Sequence, residues 1–155
     1  MIVIDILLMA AGGVVGTLLR YGISVGIKKT YHEYFDLGTL IANYVGCFFA
    51  GLVIPIETKE RWQKYLMTLF SVGFCGSLTT FSGYTSYSLT SLENGHVLSG
   101  LGEVFFSLLG CFLFLFLGYL LTTAVKNHLS KDNQDQKEEK SDDESASEAH
   151  VEPSL

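Results

Sequence analysis

The segment GFCGSLTTFSG, Gly73 to Gly83, lies inside an apolar run, Tyr65–Ser91, that is long enough to cross a membrane as a helix. Yet it holds three glycines, two serines and a Thr-Thr pair. Glycine lowers helix stability, and Ser and Thr offer the backbone competing hydrogen bonds. Sequence of this kind at the centre of a span predicts a helix that breaks there.

Three further runs share the apolar character: Ile2–Ile27, Leu37–Ile56 and Leu101–Val125. Each meets the roughly 20 residues needed to cross the hydrocarbon of a bilayer. Charges within them are few: Asp5 near one end of the first, Arg20 deep inside it, and Glu103 at the start of the fourth. Lipid offers no partners to backbone N–H and C=O groups, so such runs read as helices that satisfy themselves. None shows the polar face at helical period that a soluble bundle requires. The expectation is an all-α integral membrane protein of four transmembrane helices, the third broken, over residues 1–126. The first run does not read as a signal peptide, because it lacks a basic leader and MAAGG runs directly into more membrane sequence.

The formal net charge of −6 comes entirely from the segment beginning at Lys131, which has nine acidic residues against three basic. Residues 127–155 are almost devoid of apolar side chains and are expected to form a disordered, solubilising cytoplasmic tail. Cys47, Cys75 and Cys111 lie singly in separate apolar runs, and His32, His96, His128 and His150 are scattered. Neither set has the spacing of a disulfide framework or of a side-chain metal site. No nucleophile, base and orienting group share a plausible site, so the chain is not expected to be an enzyme.

Lys59, Arg61, Lys64, Lys126, Lys131, Lys137 and Lys140 fall on one side of a four-span chain, against Lys28 and Lys29 on the other. Seven against two puts both termini in the cytoplasm by the positive-inside rule. Gly12/Gly16 and Gly22/Gly26 form GxxxG pairs in the first run; Gly38, Gly46 and Gly51 punctuate the second, and Gly102, Gly110 and Gly118 the fourth. Small residues let membrane helices approach closely, which predicts a compact bundle. Four helices wall off a pathway poorly, so a dimer is the natural minimum.

Polar residues within the runs are the candidate site. An arginine inside a span costs a few kcal/mol even on lenient scales. Arg20 either snorkels to the interface or attracts an anion near an aqueous entrance. Asn43 supplies two N–H donors near the middle of the second run, for interhelical bonding or for a ligand. Thr79, Thr80 and Ser82 in the third run and Ser107 in the fourth add neutral donors. No Asp or Glu is expected at depth, where proton-coupled cation transporters place one; neutral donors with an arginine suit an anion. Phe81 and Tyr84 flank the break, and aromatic edges are electropositive, although their spacing alone fits core residues equally well. Interrupted helices in transport proteins expose carbonyls to cations and N–H groups to anions. The carbonyls freed at this break suit a hard cation such as Na⁺.

The blocks GGVVGTLLRY (Gly12–Tyr21), GTLIANYVGCFFAG (Gly38–Gly51) and GFCGSLTTFS (Gly73–Ser82), in that order, resemble the CrcB/Fluc family of fluoride channels. The likeness runs from about Gly12 to Gly118. It implies a dimer of antiparallel subunits with two fluoride pores, and a structural, non-transported Na⁺ held by the main-chain carbonyls of Gly76 and Thr79. It implies pore roles for Asn43, Phe81 and Ser107, with Arg20 as the first-helix arginine, and passive export of fluoride from the cell; Thr80, Ser82 and Tyr84 are taken as pore residues beside them. Two features depart from the family pattern. Gly83-Tyr84 stands where Thr-Phe is usual, and the seven-to-two charge bias favours one orientation, hence pairing with a homologous, oppositely inserted subunit. The competing readings are a non-conducting or half-active partner subunit of such a heterodimer and a small multidrug exporter. The exporter needs a carboxylate in the middle of the first helix, and AAGGVVGTLLRY has none.

Overall fold

The computed structural model describes residues 2–28 and 36–149, and every regular element in them is helical. Helix α1 runs Ile2–Lys28 and α2 Leu37–Val53; α3, Arg61–Met67, passes into a π-helix over Thr68–Cys75 and a short turn α4, Gly76–Leu78. After an interruption, α5 spans Phe81–Glu93 and α6 runs Val97–Ala149. Lys29, His32, His150 and the end of the acidic tail lie outside the described residues.

Three helical stretches are long and apolar enough to cross a membrane: Ile2–Ile27, Arg61–Glu93 and Val97–Lys131, with mean hydropathies of 2.3, 1.3 and 2.5. Helix α2 is shorter, at 17 residues. Its start is set by Asp36, whose carboxylate accepts from the Thr39 amide at 3.2 Å and the Thr39 hydroxyl at 2.6 Å. It stops ahead of Pro55, which has no N–H to continue the ladder. The α5–α6 turn depends on Gly95, whose φ of 82° suits a residue without Cβ, and the His96 amide closes the turn on the Ser91 carbonyl at 2.8 Å.

Backbone contact organises the packing. Helix α1 lies against the π-helix with Gly12 and Gly16 at the seam: a Cβ on Gly12 would collide with the Leu69 carbonyl, and one on Gly16 with the Phe74 carbonyl. Gly51 of α2 and Gly118 of α6 meet the opposing helix in the same way. The Thr122 hydroxyl extends that seam by donating to the Leu52 carbonyl at 2.8 Å. The outward faces of α1 and α6, including Leu7, Val14, Phe112 and Phe116, remain exposed apolar surface, as lipid or a further chain requires.

Two expectations are corrected. The backbone of the acidic segment is helical as far as Ala149, continuous with α6, where disorder was expected from residue 127. Its sequence has no Gly or Pro before Pro153 and many Lys, Glu, Gln and Ala residues, all good helix formers. Glu103 is also not at the start of its helix. α6 begins at Val97, which places Glu103 nearly two turns inside, with no exposed surface. The chain therefore does bury a carboxyl group within an apolar helix.

Candidate functional site

The break falls at Thr79 and Thr80, whose backbones are extended (φ −84°, ψ 147° and φ −146°, ψ 123°) between helical Leu78 and Phe81. Asn43, 2 % exposed on α2, faces this point. Its Nδ2 donates to the Thr80 carbonyl at 3.1 Å, and its Oδ1 accepts from the Thr80 amide at 2.7 Å. One side chain thus satisfies both polar groups of the residue that leaves the helix. The Thr80 hydroxyl then caps α5, accepting from the Gly83 amide at 3.1 Å and lying 3.2 Å from the Ser82 hydroxyl.

The break leaves the carbonyls of Gly76, Ser77, Leu78 and Thr79 without helical donors, and these bonds account for two of them. In an unbroken helix the Thr80 amide would reach the Gly76 carbonyl and the Gly83 amide the Thr79 carbonyl. Both amides are committed elsewhere, one to Asn43 and one to the Thr80 hydroxyl. Gly76 and Thr79 therefore present backbone oxygens without their helical donors, the hard ligands that a cation such as Na⁺ accepts. Among the described residues no group of three or more His, Cys, Asp or Glu side chains could hold a metal. Beyond the break, the first amides of α5 form the positive end of a helix dipole.

Arg20 reaches the same region from α1, half-buried, with Nε donating to the Ser77 carbonyl at 3.2 Å. This fixes the guanidinium at the C-terminal end of the π-helix and α4, where a cation is favoured.

Phe81 and Tyr84 touch edge to face, with ring centroids 5.0 Å apart, but they point differently. Phe81 is 70 % exposed, whereas Tyr84 is 4 % exposed and turned towards the interior. Ser107 is buried on α6, and its hydroxyl has no partner. The structure therefore gathers Asn43, Thr79, Thr80, Ser82 and Gly76 at the break, with Tyr84 buried on α5 and Ser107 buried on α6.

Sequence reasoning missed that Glu103 is buried on α6 one turn before Ser107. The spacing carried the signal, because Glu103 and Ser107 are four apart and share one face of α6. It missed, too, that Cys47 on α2 and Cys111 on α6 are neighbours.

Residues 7–119 match the family described as CrcB-like protein, Camphor Resistance (CrcB). Several curated proteins are similar over most of their length. The chain is 33 % identical over 117 residues to the fluoride-specific ion channel FluC of Shewanella sp. (strain W3-18-1), covering 76 % of this chain and 94 % of the relative. It is 34 % identical over 123 residues to the protein of that name from Mannheimia succiniciproducens, covering 76 % and 93 %. It is 34 % identical over 118 residues to that of Gloeothece citriformis, covering 76 % and 96 %.

Proposed function

This chain belongs to the CrcB-like family, and from that membership we infer that it is a fluoride-specific ion channel. It is a multi-pass membrane protein and not an enzyme. In our reading α1, α2, the broken Arg61–Glu93 stretch and α6 cross the cell membrane, and the orientation that the charges favour puts both termini of this chain in the cytoplasm. Two subunits in opposite orientations complete the conduit, either two copies or this chain with a homologous partner. The seven-to-two distribution of Lys and Arg favours the partnered arrangement. Fluoride leaves the cell passively, which lowers its cytoplasmic concentration and toxicity.

The observation that carries the reading is the double hydrogen bond between Asn43 and Thr80 at the break. It supports a structural Na⁺ on the carbonyls of Gly76 and Thr79, since it diverts their helical donors. Fluoride is small, strongly hydrated and accepts hydrogen bonds without donating any, so its water shell is replaced by close neutral donors. Asn43, Thr80, Ser82 and Ser107 supply N–H and O–H groups, and Phe81 and Tyr84 supply electropositive ring edges. Arg20 braces the break while adding positive charge beside it.

The test is fluoride release from liposomes containing only this purified protein, followed with a fluoride electrode, with chloride as comparator. Fast fluoride release with chloride retained establishes a self-sufficient channel. Silence from well-folded protein that becomes conduction when a homologous subunit is added establishes the partnered arrangement. Silence in both preparations contradicts the channel reading.

A further inference from the structure

Glu103 carries a consequence beyond the pore residues named above, and it rests on the fluoride-channel reading. Four buried side-chain polar atoms among the described residues have no hydrogen-bond partner, and three are Glu103 Oε1, Tyr84 Oη and Ser107 Oγ. Their residues are 0 %, 4 % and 1 % exposed. Buried polar atoms are nearly always partnered, so an unsatisfied set in one layer points to a missing ligand.

The three belong to one region of the fold. Glu103 and Ser107 stand one turn apart on the same face of α6. Helix α5 packs on that helix: a Cβ on Gly100 would come within 2.7 Å of the Ser88 carbonyl, and Ser88 in turn donates to the Tyr84 carbonyl at 2.8 Å. Helix α2 closes the layer, with the Asp36 amide 3.5 Å from Glu103 Oε2 and a Cβ on Gly83 within 3.1 Å of Thr39 Cγ2.

Among the described residues, the charged and titratable groups around the layer are few. Asp36 stands at the start of α2 with both carboxylate oxygens engaged by Thr39. Tyr84 and Tyr87 lie on α5, Cys111 one turn beyond Ser107 on α6, and Tyr44 on α2 is committed to the Phe106 carbonyl at 2.7 Å. Arg20, on α1, is bonded to Ser77 at the break.

We propose that Glu103 joins Ser107 and Tyr84, already read as pore residues, as a donor to the permeating anion, and that Glu103 must carry a proton when the anion is there. A serine hydroxyl, a phenol and a protonated carboxyl are all neutral O–H donors with a rotatable hydrogen, which is what a small acceptor-only anion requires. The ionised carboxylate donates nothing and repels an anion at contact. Anion and proton therefore occupy this layer together, and each strengthens the binding of the other by the same factor. No covalent step occurs, and the proton remains on Glu103 as the anion moves on. Conduction then falls as pH rises through the titration of this one side chain.

The experiment compares wild type with Glu103→Gln in liposomes, measuring fluoride efflux between about pH 5 and about pH 8, upward from the ordinary carboxylate range. The leak of protein-free vesicles is subtracted at each pH. Wild type should lose roughly fivefold or more of its rate across this range, a usual size for linked binding. Glu103→Gln keeps a neutral donor without a titrating proton, and its rate should be flat. A second readout needs no conduction: difference infrared spectra of the wild type should contain a carboxylic C=O band that fluoride shifts and that Glu103→Gln lacks. Wild-type efflux independent of pH, a pH slope retained in Glu103→Gln, or a carboxyl band indifferent to fluoride overturns this inference and leaves the channel reading intact. No efflux at any pH, alone or with a homologous subunit, overturns the channel reading and this inference with it.

Discussion

The Asn43 side chain pairs with the Thr80 backbone as one strand pairs with its neighbour, giving to the carbonyl at 3.1 Å and taking from the amide at 2.7 Å. A helix cannot end inside an apolar layer while its backbone groups lack partners. Asn43 is therefore what allows the third apolar run to open at Thr79 and Thr80, and the open carbonyls of Gly76 and Thr79 follow from it.

Replacing Asn43 by Ala should strand one N–H and one C=O, each costing about 1–3 kcal/mol when buried. Fluoride efflux should fall at least roughly tenfold, since about 1.4 kcal/mol is a factor of ten. Asn43→Asp keeps the acceptor but sets an oxygen against the Thr80 carbonyl, so it should fall at least as far. Near-normal efflux in either variant would show that the break holds without this pair.

Arg20 contributes a directed bond as well as a charge. Arg20→Lys keeps the charge but cannot reproduce the Nε contact with Ser77. A hydrogen bond from a charged group is worth about 1.5–3 kcal/mol, so Arg20→Lys and Arg20→Gln should both lower the melting temperature in detergent. If Arg20→Lys melts with the wild type while Arg20→Gln does not, charge is what counts at this position.

Gly16 and Gly22 make a matched pair on one helix. A Cβ at Gly16 collides with the Phe74 carbonyl, whereas one at Gly22 meets nothing within 4 Å. Gly16→Ala should destabilise by about 1–3 kcal/mol through overpacking. Gly22→Ala should be neutral, or stabilising by up to about 1 kcal/mol from helix propensity. Equal Tm values for the two variants would contradict the α1 seam.

Glu57 joins the loop after α2 to α6 through Lys126 Nζ, 2.7 Å away, with Lys59 at 3.8 Å. The Lys126 hydrogen bond holds the Glu57 carboxyl below its usual value. A depressed folded-state value stabilises the protein above the unfolded carboxylate range and loses that contribution as pH falls through the folded value. The effect should be small, because the pair is exposed to solvent, and should vanish in high salt or in Lys126→Ala. Melting curves across the acidic range, in low and high salt, check it.

The break was legible because Gly, Ser and Thr between residues 73 and 83 weaken a helix locally, and local propensity was enough to find it. The π-helix over Thr68–Cys75 was not legible. It depends on close passage of α1, with Gly73 against the Met9 carbonyl and Gly12, a contact between distant parts of the chain. Asn43 was identified as polar at depth, but its partner Thr80 lies 37 residues away and only the fold brings them together. Glu103 was misplaced because hydropathy sets the fourth run at Leu101, whereas the helix begins at Val97 among less apolar residues. In the acidic segment, net charge predicted disorder while helix propensity favoured the helix the structure draws to Ala149.

The most direct test of the central claim, a fluoride channel whose broken helix is held by Na⁺ on main-chain oxygens, is the initial fluoride efflux rate from liposomes prepared with Na⁺ and with a large organic cation in its place. The preparation should include a homologous subunit if the chain alone is silent. Fast efflux with Na⁺ and loss of most of it without are expected, because the carbonyls of Gly76 and Thr79 would then lack the cation that takes the place of their helical donors. Equal rates in the two preparations would contradict the claim.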